Sequence, residues 1–160
     1  MALVGLGFIA LFIIAAAMSA GGIGEMIMQT ANESDVNDLP FPSGNVGKLP
    51  ASIIAVYAES AGFQGPDLQV AVAVALAESG GDPNAVGDLD ITPGGSIGLW
   101  QVNLKAHPGY TAYQLFDPQA NANAAYSIYQ DAGNSFIPWS TYTGGQYSAF
   151  IVQAQQGVNG

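Results

Sequence analysis

The sequence predicts a mainly α-helical domain at residues 51–160, with a short loop or hairpin inside it, behind one N-terminal transmembrane helix. Three observations predict this. Residues 2–20 (ALVGLGFIALFIIAAAMSA) are apolar and free of charge, and about 20 such residues span a bilayer as a helix. Beyond residue 50 the long ordered runs are bounded by helix punctuation, with Asp or Ser and Pro at the starts and Gly at the ends. Alternating β-branched segments framed by turn residues, the mark of a strand-rich chain, are scarce.

The elements follow in chain order. Residues 1–24 contain no charged side chain and are read as a retained anchor. The alternative is a cleaved signal segment, for which Ala17, Ser19 and Ala20 offer small residues but no preceding Lys or Arg supplies the usual basic start. Residues 25–50 hold Glu33, Asp35 and Asp38 and then Leu39-Pro40-Phe41-Pro42-Ser43-Gly44, an acidic, Pro- and Gly-containing linker. Ser52 is placed to cap a first helix through Ile53, Ile54, Val56, Tyr57 and Ala58, which Gly62 and Gly65 close. Pro66 and Asp67 suit the first turn of a second helix, which runs to a Gly80-Gly81 stop. Val70, Val72, Val74 and Leu76 alternate with alanine as in a strand. The Pro start, the length and the Gly-Gly stop nevertheless favour a buried helix. Residues 82–97 read as loop or short hairpin. Asp117 and Pro118 open a helix to Asp131, and Tyr147, Phe150, Ile151 and Val152 suggest a last one.

Composition narrows the function. Of the 160 residues 49% are hydrophobic and only 9% charged, and the net charge is −10 with Lys48 and Lys105 as the only bases. Nucleic-acid binding is set aside, because phosphate neutralisation needs Lys and Arg. With no cysteine and one histidine, His107, thiol chemistry and multi-His metal sites are excluded.

Glu78 is the leading chemical candidate. It ends an apolar run directly before Gly-Gly. Apolar surroundings and the negative end of a helix both favour its protonated form. A carboxyl kept protonated near neutral pH is what a glycosidic leaving oxygen requires as its acid. Downstream, Trp100, Gln101 and Asn103, then Trp139, Tyr142 and Tyr147, supply the aromatic faces and amides of a saccharide groove.

In order, these residues resemble the soluble lytic transglycosylase and lysozyme-like superfamily, in its small phage and actinobacterial wall-hydrolase form. The resemblance rests on Ala77-Glu78-Ser79-Gly80-Gly81, Ser96-Ile97-Gly98-Leu99-Trp100-Gln101-Val102-Asn103, Asp117-Pro118 with Asn121, and Tyr142-Thr143-Gly144-Gly145. It covers residues 53–150. It implies a lysozyme-like helical domain in which Glu78 is the general acid for the bond between N-acetylmuramic acid and N-acetylglucosamine. In a transglycosylase the same glutamate then acts as base on the muramyl 6-hydroxyl. Gln101 matches the glutamine beside the cleavage subsite, Tyr142 the tyrosine near the catalytic glutamate, and Ser96 a serine common in the motif, and the resemblance implies no cofactor or metal.

Glu59 repeats the Ala-Glu-Ser triplet but lacks the downstream motif at the family spacing. His107 is read as a surface or packing residue of a turn. Asp88 and Asp90 are the candidates for the second carboxylate of a hydrolytic lysozyme. With neither compelling as a sequence feature, a lytic transglycosylase is favoured and a lysozyme is the alternative. A non-catalytic saccharide-binding or structural module is the rival of another class. The expected partners are peptidoglycan glycan strands, a lipid bilayer through residues 2–20, and virion or envelope components. The expected setting is extracytoplasmic or virion-borne.

Overall fold

The computed structural model describes residues 47–160 apart from Thr92. The expected transmembrane segment and nearly all of the expected linker lie outside the described residues. Among the described residues no helix is long and apolar enough to cross a membrane.

Six helices and a small sheet follow one another: α1 (Ala51–Ala61), α2 (Gly65–Ser79), β1 (Val86–Gly87), β2 (Ser96–Ile97), β3 (Val102–Asn103), α3 (Ala112–Leu115), α4 (Pro118–Asp131), α5 (Ser140–Thr143) and, after a 3-10 turn at Gln146–Phe150, α6 (Ile151–Asn159). The sheet is antiparallel in the order β1-β2-β3, so the anticipated hairpin gains a third strand. Gly98 to Gln101 form the turn that joins β2 to β3.

The central element is α2. Its start matches the punctuation, with Pro66 and Asp67 in the first turn, and it ends at Gly80 in the left-handed conformation. Residues 71–76 are all buried, because α1, α5, α6 and the 3-10 turn pack around it. A helix covered on every side needs no amphipathic stripe. That is why its Val-Ala alternation mimics a strand without making one. α1 differs from the expected start: it begins at Ala51 behind Pro50, with no side-chain cap, and Ser52 lies exposed in the first turn. α4 starts as anticipated, with the Asp117 carboxylate accepting from the Ala120 N–H at 2.7 Å and Pro118 at the first helical position. α3 carries a full capping box between Thr111 and Gln114.

Small residues set the contact between α1 and α6. At Gly157 on α6 a β-carbon would lie 2.6 Å from the Ala51 carbonyl carbon of α1. Only glycine lets these two helices approach as they do. At the other end of α1, Phe63 makes edge contacts with Tyr126 and Tyr129 and stacks on Phe136. Tyr129 closes that region by donating to Asp67 at 2.7 Å.

Buried polar groups then fix the turn that follows β2. Asn121 on α4 is fully buried. Its Oδ1 accepts from the Trp100 N–H at 2.9 Å, and its Nδ2 donates to the Ile97 and Leu115 carbonyls at 2.8 and 2.9 Å. The Trp100 indole donates to the Ala71 carbonyl in α2 at 2.9 Å, and the Trp139 indole donates to the Trp100 carbonyl at 2.8 Å. Buried donors and acceptors left unpaired cost about 1–3 kcal/mol each. These bonds therefore lock α2, the turn, α4 and the entry to α5 into one register.

Candidate active site

Glu78 sits one residue from the end of α2 and is partly buried. It lines a cavity of about 300 Å³ together with Asp88, Ser96, Gln101, Asn103, His107, Trp139 and Ser140. One wall is the sheet, and the other is the segment entering α5. Burial pushes the Glu78 carboxyl above its ordinary value, and the Asp88 charge adds to the rise. Hydrogen bonds from Thr141 oppose it without cancelling it.

The sheet wall follows from strand register. Ser96 on β2 pairs across to Gly87 on β1 and to Asn103 on β3. Asn103 Nδ2 donates to Ser96 Oγ at 3.1 Å, and Ser96 Oγ donates to Asp88 Oδ2 at 2.6 Å. A polar line thus runs from β3 across β2 to a carboxylate just beyond the end of β1. Asp88 holds a left-handed backbone, φ 60°, which Asp tolerates better than most residues. Gln101 is left-handed too, φ 48°. Such conformations are maintained only where the surroundings enforce them. Here the enforcement is visible: Gln101 Nε2 donates to the Ala85 and Gly98 carbonyls at 3.1 and 2.9 Å. Its Oε1 occupies the space a side chain at position 87 would need.

The structure thus gathers Glu78, Asp88, Ser96, Gln101 and Asn103 around one cavity, and it places the other expected residues as follows. Trp100 is not a sugar platform: it is fully buried, with its indole N–H given to α2. Gln101 lines the cavity, but its amide nitrogen is committed to backbone carbonyls, so it acts as a clamp on the base of the hairpin. Tyr142 and Tyr147 are partly buried and pack on each other with ring centres 4.8 Å apart. Tyr142 also packs on Phe136, and neither tyrosine is among the cavity-lining residues. Asp90 is exposed in the loop beyond β1 and does not line the cavity. Glu59 is exposed on α1. His107, read as a surface or packing residue, is partly buried and reaches the cavity.

One residue was missed. Thr141 Oγ1 donates to Glu78 Oε1 at 2.7 Å. The motif drew attention to Tyr142, its neighbour, and a contact between residues 63 positions apart leaves no mark in local sequence.

The arrangement can perform acid–base chemistry on a bond lying in the cavity. It offers a carboxyl whose pKa is raised, a second carboxylate lining the same cavity, and hydroxyl and amide groups linked to that second carboxylate. Among the described residues no group of three or more His, Cys, Asp or Glu side chains is placed to hold a metal ion.

No curated protein and no solved structure matches the chain significantly. The description of a lysozyme-like domain family matches residues 55–141, a span running from α1 into α5 that includes all eight named cavity-lining residues and ends on Thr141. That match covers more than half of the 160 residues, and the chain belongs to the lysozyme-like domain family.

Proposed function

We propose that the domain cleaves the glycan strands of peptidoglycan at the β-1,4 bond between N-acetylmuramic acid and N-acetylglucosamine, with Glu78 as general acid. The observation that carries this reading is the partly buried Glu78 carboxyl at the end of α2, held toward protonation and lining a cavity. Membership of a lysozyme-like family supports the substrate class. Protonated Glu78 gives its proton to the departing N-acetylglucosamine oxygen as the bond to the muramyl C1 breaks.

Two fates of the muramyl C1 share that first step. In a lytic transglycosylase the ionised Glu78 takes the proton of the muramyl 6-hydroxyl, whose oxygen closes a 1,6-anhydro ring. In a lysozyme a second carboxylate takes a proton from water as that water bonds to C1. The placement of Asp88 favours hydrolysis, because its carboxylate lines the same cavity and is oriented by Ser96. Mass spectrometry of digested peptidoglycan separates the two fates. Reducing muramyl ends support the lysozyme, and 1,6-anhydro ends overturn that choice in favour of the transglycosylase.

Glu78→Gln tests the shared step. It should abolish clearing of a peptidoglycan gel, a loss of about 10²–10⁴-fold for a missing acid. Equal clearing by wild type and variant would refute the assignment, and clearing by neither would favour a saccharide-binding module. The apolar, charge-free residues 2–20 support a further part of the proposal. They tether the enzyme to a bilayer, on the extracytoplasmic side of a cell or in a virion that opens the wall locally. Carbonate-resistant membrane fractionation of the full chain against a chain lacking residues 2–20 checks the tether.

A further inference from the structure

We propose that Thr141 is the positioning residue for Glu78, fixing which carboxyl oxygen carries the transferred proton. This deepens the reading of Glu78 as a general acid and rests on it. The hydroxyl of Thr141 donates to Oε1 of Glu78 at 2.7 Å, a distance typical of a strong bond to a carboxylate. With Oε1 taken, the proton is carried by Oε2.

The placement of Thr141 is built into the fold. It lies in α5, two residues after Trp139. Trp139 is buried, and its indole is bonded to the Trp100 carbonyl. The Trp100 indole is bonded in turn to the Ala71 carbonyl of α2. Ala71 and Glu78 are seven residues apart on that helix, about two turns. The Thr143 N–H returns to the Trp139 carbonyl at 3.1 Å and closes the turn that presents Thr141. The α2 backbone thus determines where the Thr141 hydroxyl stands, through two indoles, and the hydroxyl then meets the acid at the end of the same helix.

A threonine suits both halves of an acid–base cycle. The Thr141 hydroxyl donates to Oε1 in both states, because that oxygen accepts as part of the carboxylate and as the carbonyl oxygen of the acid whose proton sits on Oε2. Thr141 therefore keeps a bond to Glu78 before and after proton transfer, and the carboxyl need not search for its orientation between steps. The groups facing Glu78 that bear on its titration are Thr141 and, as a like charge, Asp88.

Thr141→Val removes the hydroxyl at nearly constant shape, and Thr141→Ser restores it. Two readouts separate this proposal from the reading it rests on. The first is the Glu78 carboxyl titration, followed by carbon-detected NMR on the full-length protein in detergent micelles, which needs no activity. Valine should raise the Glu78 pKa by about one unit, the scale of one lost charge-assisted bond, and serine should return it to the wild-type value. The second is peptidoglycan cleavage. Valine should lower kcat roughly tenfold with KM within twofold, and should move the alkaline limb of the pH profile upward, with both effects reversed by serine. An unmoved titration in the valine variant overturns the proposal. So does a serine variant that titrates away from wild type, which remains a valid test where valine disturbs the fold. Shifted titrations in a protein that cleaves no glycan would instead keep the Thr141–Glu78 coupling and refute the glycosidase reading.

Discussion

Consider Asn121→Ala. The side chain is fully buried and serves three backbone groups at once: the Trp100 N–H and the Ile97 and Leu115 carbonyls, all within 2.9 Å. Alanine leaves those three groups facing apolar surroundings. Each unpaired buried group costs about 1–3 kcal/mol. Local relaxation and a water entering the vacated space would recover part of that. The expected loss is about 3–5 kcal/mol, a large part of the 5–15 kcal/mol that holds a typical domain together. Urea unfolding of the wild type and the variant, followed by far-UV circular dichroism, measures it as a lower midpoint at unchanged slope. A loss below about 1 kcal/mol would refute the reasoning, because it would mean that the three groups find other partners at little cost. A wild-type midpoint with a changed slope would instead place the effect in the unfolded ensemble.

Three further outcomes follow from the same structure. Glu78→Gln should gain stability relative to wild type as pH rises. The folded-state pKa of Glu78 is raised, so ionisation penalises the folded form. The difference should be absent below the ordinary carboxylate value, grow from there, and be complete above the raised one. Denaturation midpoints measured from pH 4 to 8 check this, and parallel curves would contradict the buried-acid account. Asp88→Asn should lower hydrolysis by about 10²-fold or more if Asp88 is the base for water. It should also move the alkaline limb of any remaining activity downward, since the like charge that raises Glu78 is gone. Retained rate with an unmoved limb would remove Asp88 from the chemistry. Gly157→Ala should cost about 1–3 kcal/mol by overpacking, as its β-carbon would press on the Ala51 backbone. Thermal unfolding reads this directly, and an unchanged Tm would show that α1 and α6 can separate freely.

The contrast between legible and illegible features has a physical basis. The start of α2 at Pro66 and Asp67, its Gly80 stop, and the Asp117 cap of α4 are local events, set by φ preference and by a carboxylate reaching its own helix N-terminus. Such features can be read from a few adjacent residues. Trp100 could not be, because an indole suits a sugar face and a buried helix contact equally well. Its assignment to the core depends on α2 presenting the Ala71 carbonyl. Gln101 and Thr141 exemplify the same limit. The amide of Gln101 is claimed by a carbonyl 16 residues away, and Thr141 by a glutamate 63 residues away. Asp88 and Asp90 looked equivalent as loop aspartates. They were separated only when the β1–β2 register set Ser96 opposite Gly87 and within reach of Asp88.

The paired indoles also make the domain its own optical probe. Trp100 and Trp139 are the only two tryptophans in the chain, and both sit in the joint between α2 and α5. Only Trp139 of the two lines the cavity. Intrinsic emission therefore originates beside the proposed chemistry rather than from the domain at large. A saccharide bound in the cavity is expected to perturb the emission of Trp139 rather than that of Trp100. A shift toward longer wavelength reports opening of that joint.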